Sequence, residues 1–144
     1  MSTYFSYKHM VGFEETNVVG NVYFANFLKW QGHCREMFLK SHCPTILNDI
    51  NNGLSLVTMN VRADFFHELF AFDEVEIRLH LSEQIQNRVK MKFEYWKVNS
   101  NAEPEQLVAI SEQQIAAMRK ENGRLVATPL PVELVEALNQ YTLE

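Results

Sequence analysis

The chain has 144 residues, of which 47% are apolar and 22% are charged, and its formal net charge at pH 7 is −5. This length fits one domain, expected over residues 1–144, that buries about two-thirds of its unfolded surface. The negative charge argues against a nucleic-acid partner, and no apolar run approaches the ~20 residues of a membrane span. The N-terminal residues lack the features of a secretory signal, so the expected location is cytoplasmic.

The first part of the chain predicts a strand followed by one long helix. Residues 3–13 read as the strand, and residues 25–42 carry apolar side chains on two adjacent helical stripes. Residues 45–51 predict a short helical turn that ends at the turn signal Asn52-Gly53. Because both stripes of residues 25–42 carry apolar side chains, other structure should cover the long helix over a wide angle. The two stripes are Phe24, Leu28, Gln31, Arg35 and Phe38, and Phe27, Trp30, Cys34, Met37 and Ser41.

The remainder predicts antiparallel strands with one apolar and one polar face. Residues 73–81 and 88–95 alternate between apolar and charged side chains, which is typical of half-buried strands. We expect about four long strands in a meander, closed by a capping helix. In chain order these elements are a strand from Leu54, strands over 73–81, 88–95 and 106–120, and the helix over 131–141. Residues 83–87 are expected to form a hairpin or a bent continuation of the strands, residues 99–104 a hairpin loop, and residues 121–123 a turn.

These elements predict an α+β fold in which an antiparallel sheet wraps around one long central helix. One helix cannot cover so much sheet, so apolar surface and sheet edges would remain exposed on a single copy. We therefore expect a homodimer that continues the sheet across two subunits, and a homotetramer built from such dimers. The aromatic residues Phe65, Phe66, Phe70 and Phe72 are expected to pack in the core or the dimer, or to line an apolar channel.

The loop before the long helix is the candidate site for chemistry. An apolar segment leads into a loop that contains Gly20 and then directly into the helix N-terminus, where backbone N–H groups can point at a ligand. Asn17 stands where a hydrolytic enzyme would carry a carboxylate, so we predict a site without a titrating base at that position. Asn17 could instead make only a local side-chain turn.

Cysteine, histidine and glycine patterns predict no metal or cofactor. Cys34 and Cys43 are nine residues apart, which matches neither a zinc clip nor a redox pair, and we expect buried free thiols. The five histidines are scattered at unrelated spacings, and the chain has no Gly-rich phosphate loop.

Two sequence motifs and the order of elements resemble a known family. The motifs are Asn17-x-x-Gly20-x-Val22-Tyr23-x-x-Asn26-Phe27 and Ala127-Thr128-Pro129-Leu130-Pro131. Together they resemble the hot-dog fold thioesterases related to 4-hydroxybenzoyl-CoA thioesterase, over nearly the whole chain. That family typically has Asp where this chain has Asn17, and an Ala-Arg pair where it has Cys34-Arg35.

These departures resemble the thioesterases of enediyne polyketide biosynthesis. The resemblance implies hydrolysis of a β-keto polyene thioester, which releases the chain from the acyl carrier protein domain of an iterative synthase. The released β-keto acid can then lose CO2. The alternatives are a housekeeping acyl-CoA thioesterase, with CoA as the leaving thiol, and a non-catalytic acyl-binding partner of a synthase.

The resemblance, with the chemistry of thioester hydrolysis, gives roles to individual residues. The N–H groups of Tyr23 and Phe24 would stabilise the oxyanion at the helix N-terminus. Asn17 would orient water or bind the carbonyl, and Arg35 would bind an enolate-like or carboxylate oxygen. The expected substrate-binding residues are Gly20, Phe27, Leu28 and Gln31.

Other roles remain open for Arg35 and for several charged residues. Arg35 could form an ion pair with Glu36, Asp64 or a carboxylate of a partner subunit. One of Glu14 and Glu15 could act as general base, since position 17 has no carboxylate. The basic strand face formed by Arg88, Lys90 and Lys92 could contact an acidic carrier protein or simply face water.

Overall fold

The computed structural model describes residues 4–98 and 105–143, and within them an antiparallel sheet curls around one long helix. The predicted α+β arrangement is confirmed, whereas the hairpin loop predicted over residues 99–104 lies outside the described residues. In chain order the elements are β1 (Phe5–Met10), a 3₁₀ turn (Phe13–Glu15), α1 (Ala25–His42), α2 (Ile46–Asn51), β2 (Leu54–Phe65), β3 (Glu74–Ile85), β4 (Arg88–Val98), β5 (Gln106–Glu121), β6 (Arg124–Ala127) and α3 (Val132–Asn139).

The sheet order is β1-β3-β4-β5-β2, with β6 paired to the end of β5. Strands β3, β4 and β5 form the predicted meander, but β2 pairs with β5 instead of β3, from Leu54 opposite Arg119 to Phe65 opposite Ala109. The expectation of four strands in sequential order is therefore wrong for β2. Alternating hydrophobicity identifies a strand and its buried face, but it does not identify the neighbouring strand.

Helix α1 begins and ends where the sequence predicts. Its last turn carries the basic residues Lys40 and His42, which lie at the negative end of the helix dipole. Cys43 donates its N–H to the carbonyl of Leu39. Pro44 then follows, and no further helical turn can form through it. Both cysteines are free and buried, as predicted. The buried residues of α1 are Phe27, Trp30, Gln31, Cys34 and Phe38.

Strand β1 is shorter than residues 3–13, because the chain leaves the sheet after Met10. Gly12 donates its N–H to the Glu15 carboxylate, and the 3₁₀ turn Phe13–Glu15 follows. This turn carries the chain from the edge of the sheet to the N-terminus of α1.

The outer face of β3 is less exposed than its alternating charges predict. The guanidinium of Arg78 lies 4.8 Å from the ring centroid of Tyr4 and 4.7 Å from that of Trp96, so it is sandwiched between two aromatic rings. Its Nε donates to Glu76, which is buried. A paired network therefore covers this face of the strand.

A buried polar network fastens α1 to the inner face of the sheet. The Tyr95 hydroxyl donates to the Phe27 carbonyl at 2.8 Å and lies 3.1 Å from the Ser111 hydroxyl. Ser111 donates in turn to Gln31 Oε1 at 2.6 Å. Because these groups are inaccessible to water, each depends on the others for its hydrogen bonds.

Replacing Tyr95 by Phe should test the contribution of this network. Tyr95→Phe removes the donor to Phe27 and should lower the free energy of unfolding by about 1–2 kcal/mol, measured by urea denaturation. Tyr23→Phe is the control, because the exposed Tyr23 hydroxyl makes no hydrogen bond with the described residues, and its change should stay within about 0.5 kcal/mol. Equal losses in the two variants would contradict the assignment.

Candidate active site

Residues 16–22 fold back on themselves as a tight loop ahead of α1. Thr16 and Val22 form an isolated antiparallel bridge, and Asn17 donates its N–H to the carbonyl of Asn21 at 2.8 Å. Gly20 donates its N–H to the Asn17 carbonyl at 2.9 Å and has φ of +94°. A side chain at position 20 would meet no atom within 4 Å, so the loop requires glycine for its backbone conformation.

The Asn17 side chain makes the local turn that was one of its two predicted roles. Its Oδ1 accepts the N–H of Val19 at 3.0 Å, which is an Asx turn. Its amide nitrogen makes no hydrogen bond within residues 4–98 and 105–143. The side-chain N–H groups of Asn17 are therefore free to donate to a ligand, whereas its side-chain oxygen is already used within the loop.

Tyr23 and Phe24 differ in what their backbone N–H groups do. Tyr23 donates its N–H to the Glu15 carbonyl at 3.0 Å, so this donor, expected for the oxyanion, is committed within the loop. The N–H of Phe24 meets no acceptor among the described residues, and Phe24 immediately precedes the first residue of α1. The positive end of the helix dipole lies at the same point. Of the two candidates, Phe24 is the one with a free donor.

Glu15 is buried beneath this loop, with 6% of its surface exposed. Its carboxylate accepts the N–H of Gly12 at 2.9 Å and Trp30 Nε1–H at 2.6 Å, and lies 2.7 Å from His9 Nε2. Burial alone would raise the pKa of Glu15, but these hydrogen bonds outweigh it and hold the pKa below its ordinary value. A carboxylate enclosed in this way is not placed to take a proton from a substrate water, which argues against Glu15 as general base.

Arg35 is a half-buried cation that forms no ion pair with the described residues. Its Nε and Nη1 are buried and have no hydrogen-bond partner among the described residues. Burial lowers the pKa of Arg35, and Glu36 partly offsets this effect. Neither predicted partner within the chain forms an ion pair with it, since Glu36 makes none and Asp64 lies 3.5 Å from Arg62. Leaving a guanidinium unpaired in a buried place is costly unless a ligand or partner supplies the missing acceptors.

A cleft of about 760 Å³ opens beside Arg35, between the second half of α1, α2 and the start of β2. Apart from Arg35, Glu36 and Lys40, its walls are mostly aliphatic. Cys43 also lines this cleft, and burial raises the pKa of its thiol to about 11, so it is protonated at neutral pH. The aliphatic lining residues are Leu39, Ile46, Leu47, Ile50, Leu54 and Leu56.

Helix geometry separates Arg35 from the donor at Phe24. Eleven residues along an α-helix correspond to about 16 Å, so the two groups of one protomer do not bind the same oxygen. Leu28 lies between them on the same stripe and is partly exposed. The stripe therefore forms a path from the loop to the cleft.

Two of the expected substrate-binding residues lie in the core instead. Gln31 is 3% exposed and bound to Ser111, and Phe27 is 4% exposed and packs against Trp30 and Tyr95. The helical period placed them on the helix that leads from the loop, but it could not show that β5 carries a hydroxyl opposite Gln31. The aromatic residues Phe65, Phe66, Phe70 and Phe72 are exposed on the single chain instead of filling its core.

Sequence reasoning missed the hydrogen-bonded group around Glu15. Its partners His9 and Trp30 lie on β1 and α1, six and fifteen residues away, and no local spacing indicates that they meet. Within the described parts of the chain, no cluster of three or more residues could hold a metal, and no helix is long and apolar enough to cross a membrane.

Comparison with known proteins identifies the family. Residues 11–138 match the thioesterase-like superfamily, so the chain belongs to it. The chain is 43% identical to the dynemicin thioesterase, with a TM-score of 0.92 and coverage of 98% of this chain and 99% of that one. The hot-dog fold is therefore confirmed, and the protein is a thioester hydrolase.

Two more distant structures share this fold. A 1,4-dihydroxy-2-naphthoyl-CoA thioesterase from Synechocystis is 23% identical, with a TM-score of 0.82 and coverage of 94% of this chain and 96% of its own. A hypothetical protein from Aquifex aeolicus is 25% identical, with a TM-score of 0.78 and coverage of 93% and 98%.

Replacing Gly20 by Ala should separate loop geometry from general stability. Gly20 and Gly123 both have positive φ and open space at the Cβ position, so Ala at either should cost about 1–2 kcal/mol of unfolding free energy. Only Gly20→Ala should also lower turnover, by about tenfold, because it displaces the loop that carries Asn17. Equal turnover in the two variants would show that the loop geometry does not matter for catalysis.

Proposed function

We propose that this protein hydrolyses a β-keto polyene thioester carried by an acyl carrier protein, releasing the chain in enediyne biosynthesis. The observation that carries the proposal is the unpaired Arg35 guanidinium beside an aliphatic cleft. An aliphatic wall favours a long hydrocarbon chain, while a fixed cation favours a chain that also carries a polar or anionic oxygen. A β-keto chain has both features.

The similarity to the dynemicin thioesterase supports the same substrate class. Crystal structures of that protein reveal induced fit and allosteric effects upon polyene binding. The identity of 43% extends over nearly the full length of both chains. A polyene substrate is therefore proposed here by similarity, and the aliphatic cleft supports it.

In the proposed reaction the thioester carbonyl lies against the N-terminus of α1. The Phe24 N–H donates to the oxygen that becomes negative in the tetrahedral intermediate, and the amide group of Asn17 donates a second hydrogen bond. Water attacks the carbonyl carbon and the carbon–sulfur bond breaks. The thiolate leaves with the carrier, and the proton that the attacking water loses passes to this thiolate or to solvent. Because a thiolate is a good leaving group, this reaction proceeds without a carboxylate base at position 17.

The acyl chain would follow the exposed stripe of α1 from Phe24 past Leu28 to the cleft. From Phe24 to Leu39 this path is about 22 Å long, which suits an extended chain better than a small acyl group. Arg35 lies at the entrance to the cleft and would bind an oxygen on the chain or on the released acid. Loss of CO2 from a released β-keto acid then needs no further group of the protein.

The site is proposed to be completed in a homodimer. Strand β2 is a twelve-residue edge of the sheet, and its apolar residues Met59, Val61 and Phe65 are exposed. Such an edge is suited to pair with a second copy, which would extend the sheet across both subunits. The exposed aromatic residues Phe66, Phe70 and Phe72 offer further surface for assembly into a homotetramer.

The carrier protein is proposed to approach through positive charge on the outer face of β4. Lys90 and Lys92 lie 3.9 and 3.8 Å from Glu83 and Glu94, which partly neutralise them. Arg88 is exposed and forms no ion pair with the described residues. Attraction to an acidic carrier would therefore depend chiefly on Arg88 and weaken with salt.

The proposal is tested by measuring thiol release from matched acyl-pantetheine thioesters. The purified protein should hydrolyse a long polyunsaturated β-keto thioester faster than a short saturated one, and faster on a carrier protein than on CoA. A preference for short acyl-CoA would support the housekeeping alternative. Binding of acyl-carrier protein without thiol release above background would support the non-catalytic alternative, and either result would contradict the proposal.

Arg35→Met should separate the charge of Arg35 from its packing. Removing an unpaired buried charge should leave the free energy of unfolding unchanged or raise it. Turnover of the β-keto substrate should fall about 10- to 100-fold, because the cation that binds the substrate oxygen is lost. The control is Arg124→Met on β6, where the arginine is exposed and does not line the cleft, and turnover should not change. Unchanged turnover in Arg35→Met would remove Arg35 from the site.

Asn17→Asp should test the amide donor at position 17. Asp can accept the Val19 N–H as Asn17 does, so the loop should keep its conformation and the protein its stability. The variant lacks the amide N–H groups, and we expect a fall in kcat of about 100-fold at pH 7. A retained or higher kcat would contradict the donor role and show that a carboxylate serves at this position.

A further inference from the structure

Glu15 joins three parts of the active-site framework through its own atoms. Its side chain binds β1 through His9 and α1 through Trp30. Its backbone carbonyl accepts the N–H of Tyr23 at 3.0 Å and the side-chain N–H of Asn26 at 2.8 Å. The stem of the loop and the first turn of α1 therefore meet at a single residue.

The hydrogen bonds to Glu15 determine where the free donor of Phe24 lies. The bond from Tyr23 closes the loop one residue before Phe24, and the bond from Asn26 holds the helix two residues after it. The carbonyl that accepts both bonds belongs to the same residue as the carboxylate, so displacement of the Glu15 side chain would also displace the carbonyl. That side chain is fixed by three donors from Gly12, His9 and Trp30, at 2.6 to 2.9 Å.

We propose that Glu15 is a positioning residue, whose buried carboxylate holds the Phe24 N–H in the orientation that receives the thioester oxygen. This rests on the proposed function, because it assumes that the Phe24 N–H binds that oxygen. Glu15 itself does not touch substrate. A displacement of about 1 Å in such a donor can cost about 100-fold in rate, so the carboxylate influences turnover through geometry alone.

Glu15→Gln tests the proposal with Glu136→Gln on α3 as its control. Gln keeps the length of the side chain but cannot accept from all three donors, so kcat should fall about 10- to 100-fold while KM changes less than about twofold. Glu136 is exposed and forms no hydrogen bond or ion pair with the described residues, and its variant should match the wild-type protein. A kcat of Glu15→Gln equal to that of Glu136→Gln would overturn the proposal, as would a raised KM with unchanged kcat.

Trp30→Phe provides a second variant, which removes the donor to Glu15 Oε2 together with part of a completely buried ring system, so its stability is measured beside its kcat. Its kcat should fall about three- to tenfold, and the double variant with Glu15→Gln should be no worse than Glu15→Gln alone, because both changes break one network. A wild-type kcat in Trp30→Phe, or a fully additive loss in the double variant, would contradict the proposal. This variant decides the matter if Glu15→Gln does not fold.

Stability against pH should show that the ionised carboxylate is responsible. Because the folded state lowers the pKa of Glu15, its charge stabilises the protein above the unfolded value near 4.5, and this stabilisation is lost as pH falls through the lower folded value. The groups that donate to it are His9 of β1, Gly12, and Trp30 of α1. The stability difference between wild type and Glu15→Gln should be constant near neutral pH and shrink below pH ~4.5. A difference that is the same at all pH values would argue against the proposal.

Hydrogen exchange distinguishes failure of this proposal from failure of the proposed function. The Tyr23 amide, which is bonded to the Glu15 carbonyl, should exchange faster in Glu15→Gln than in Glu136→Gln. If the wild-type protein releases no thiol, the proposed function fails, while faster exchange still supports the role of Glu15 in holding the loop. Unchanged exchange would overturn the positioning role whatever the turnover.

Discussion

One side of α1 is buried against a single curled sheet, and the positions of the loop, the cleft and the free edge follow from that contact. Trp30 and Cys34 are completely buried, and the hydroxyl of Tyr95 bonds the backbone of the helix at Phe27. The sheet cannot close around the whole helix, so the stripe that contains Phe24 and Leu28 stays partly uncovered. The same contact fixes the N-terminus of α1 beside the loop that carries Asn17, which makes the helix both the centre of the core and one wall of the site.

Two charged side chains beside this helix, Glu15 and Arg35, differ in whether they have hydrogen-bond partners. Glu15 receives hydrogen bonds from Gly12, His9 and Trp30, and it acts as a fixed point of the framework. Arg35 has buried nitrogen atoms without partners and faces an aliphatic cleft. A satisfied buried charge stabilises one geometry, whereas an unsatisfied one is stabilised by whatever enters the cleft. The contrast distinguishes a charge that is satisfied within the framework from one that, in the proposed function, binds the substrate.

Periodic features of the fold could be predicted from the sequence, while contacts between distant segments could not. The bounds of α1 could be predicted from a helical period that ends near Pro44. The need for glycine at position 20 could be predicted from the loop, where its φ is positive. The place of β2 beside β5 depends on how the chain crosses the sheet, which alternation does not encode. The burial of Gln31 against Ser111 and of Glu15 against Trp30 likewise joins residues that no local spacing relates.

The Asx turn at Asn17 separates the architecture of the loop from its chemistry. The turn needs one side-chain oxygen two residues before the Val19 N–H, and both amide and carboxylate side chains supply it. Exchanging the amide for a carboxylate at position 17 therefore keeps the turn, although it replaces a hydrogen-bond donor by a potential base. On this scaffold a carboxylate can therefore replace the amide at position 17 without a gain of stability elsewhere. A single substitution at position 17 could therefore replace a donor by a base while the loop keeps its shape.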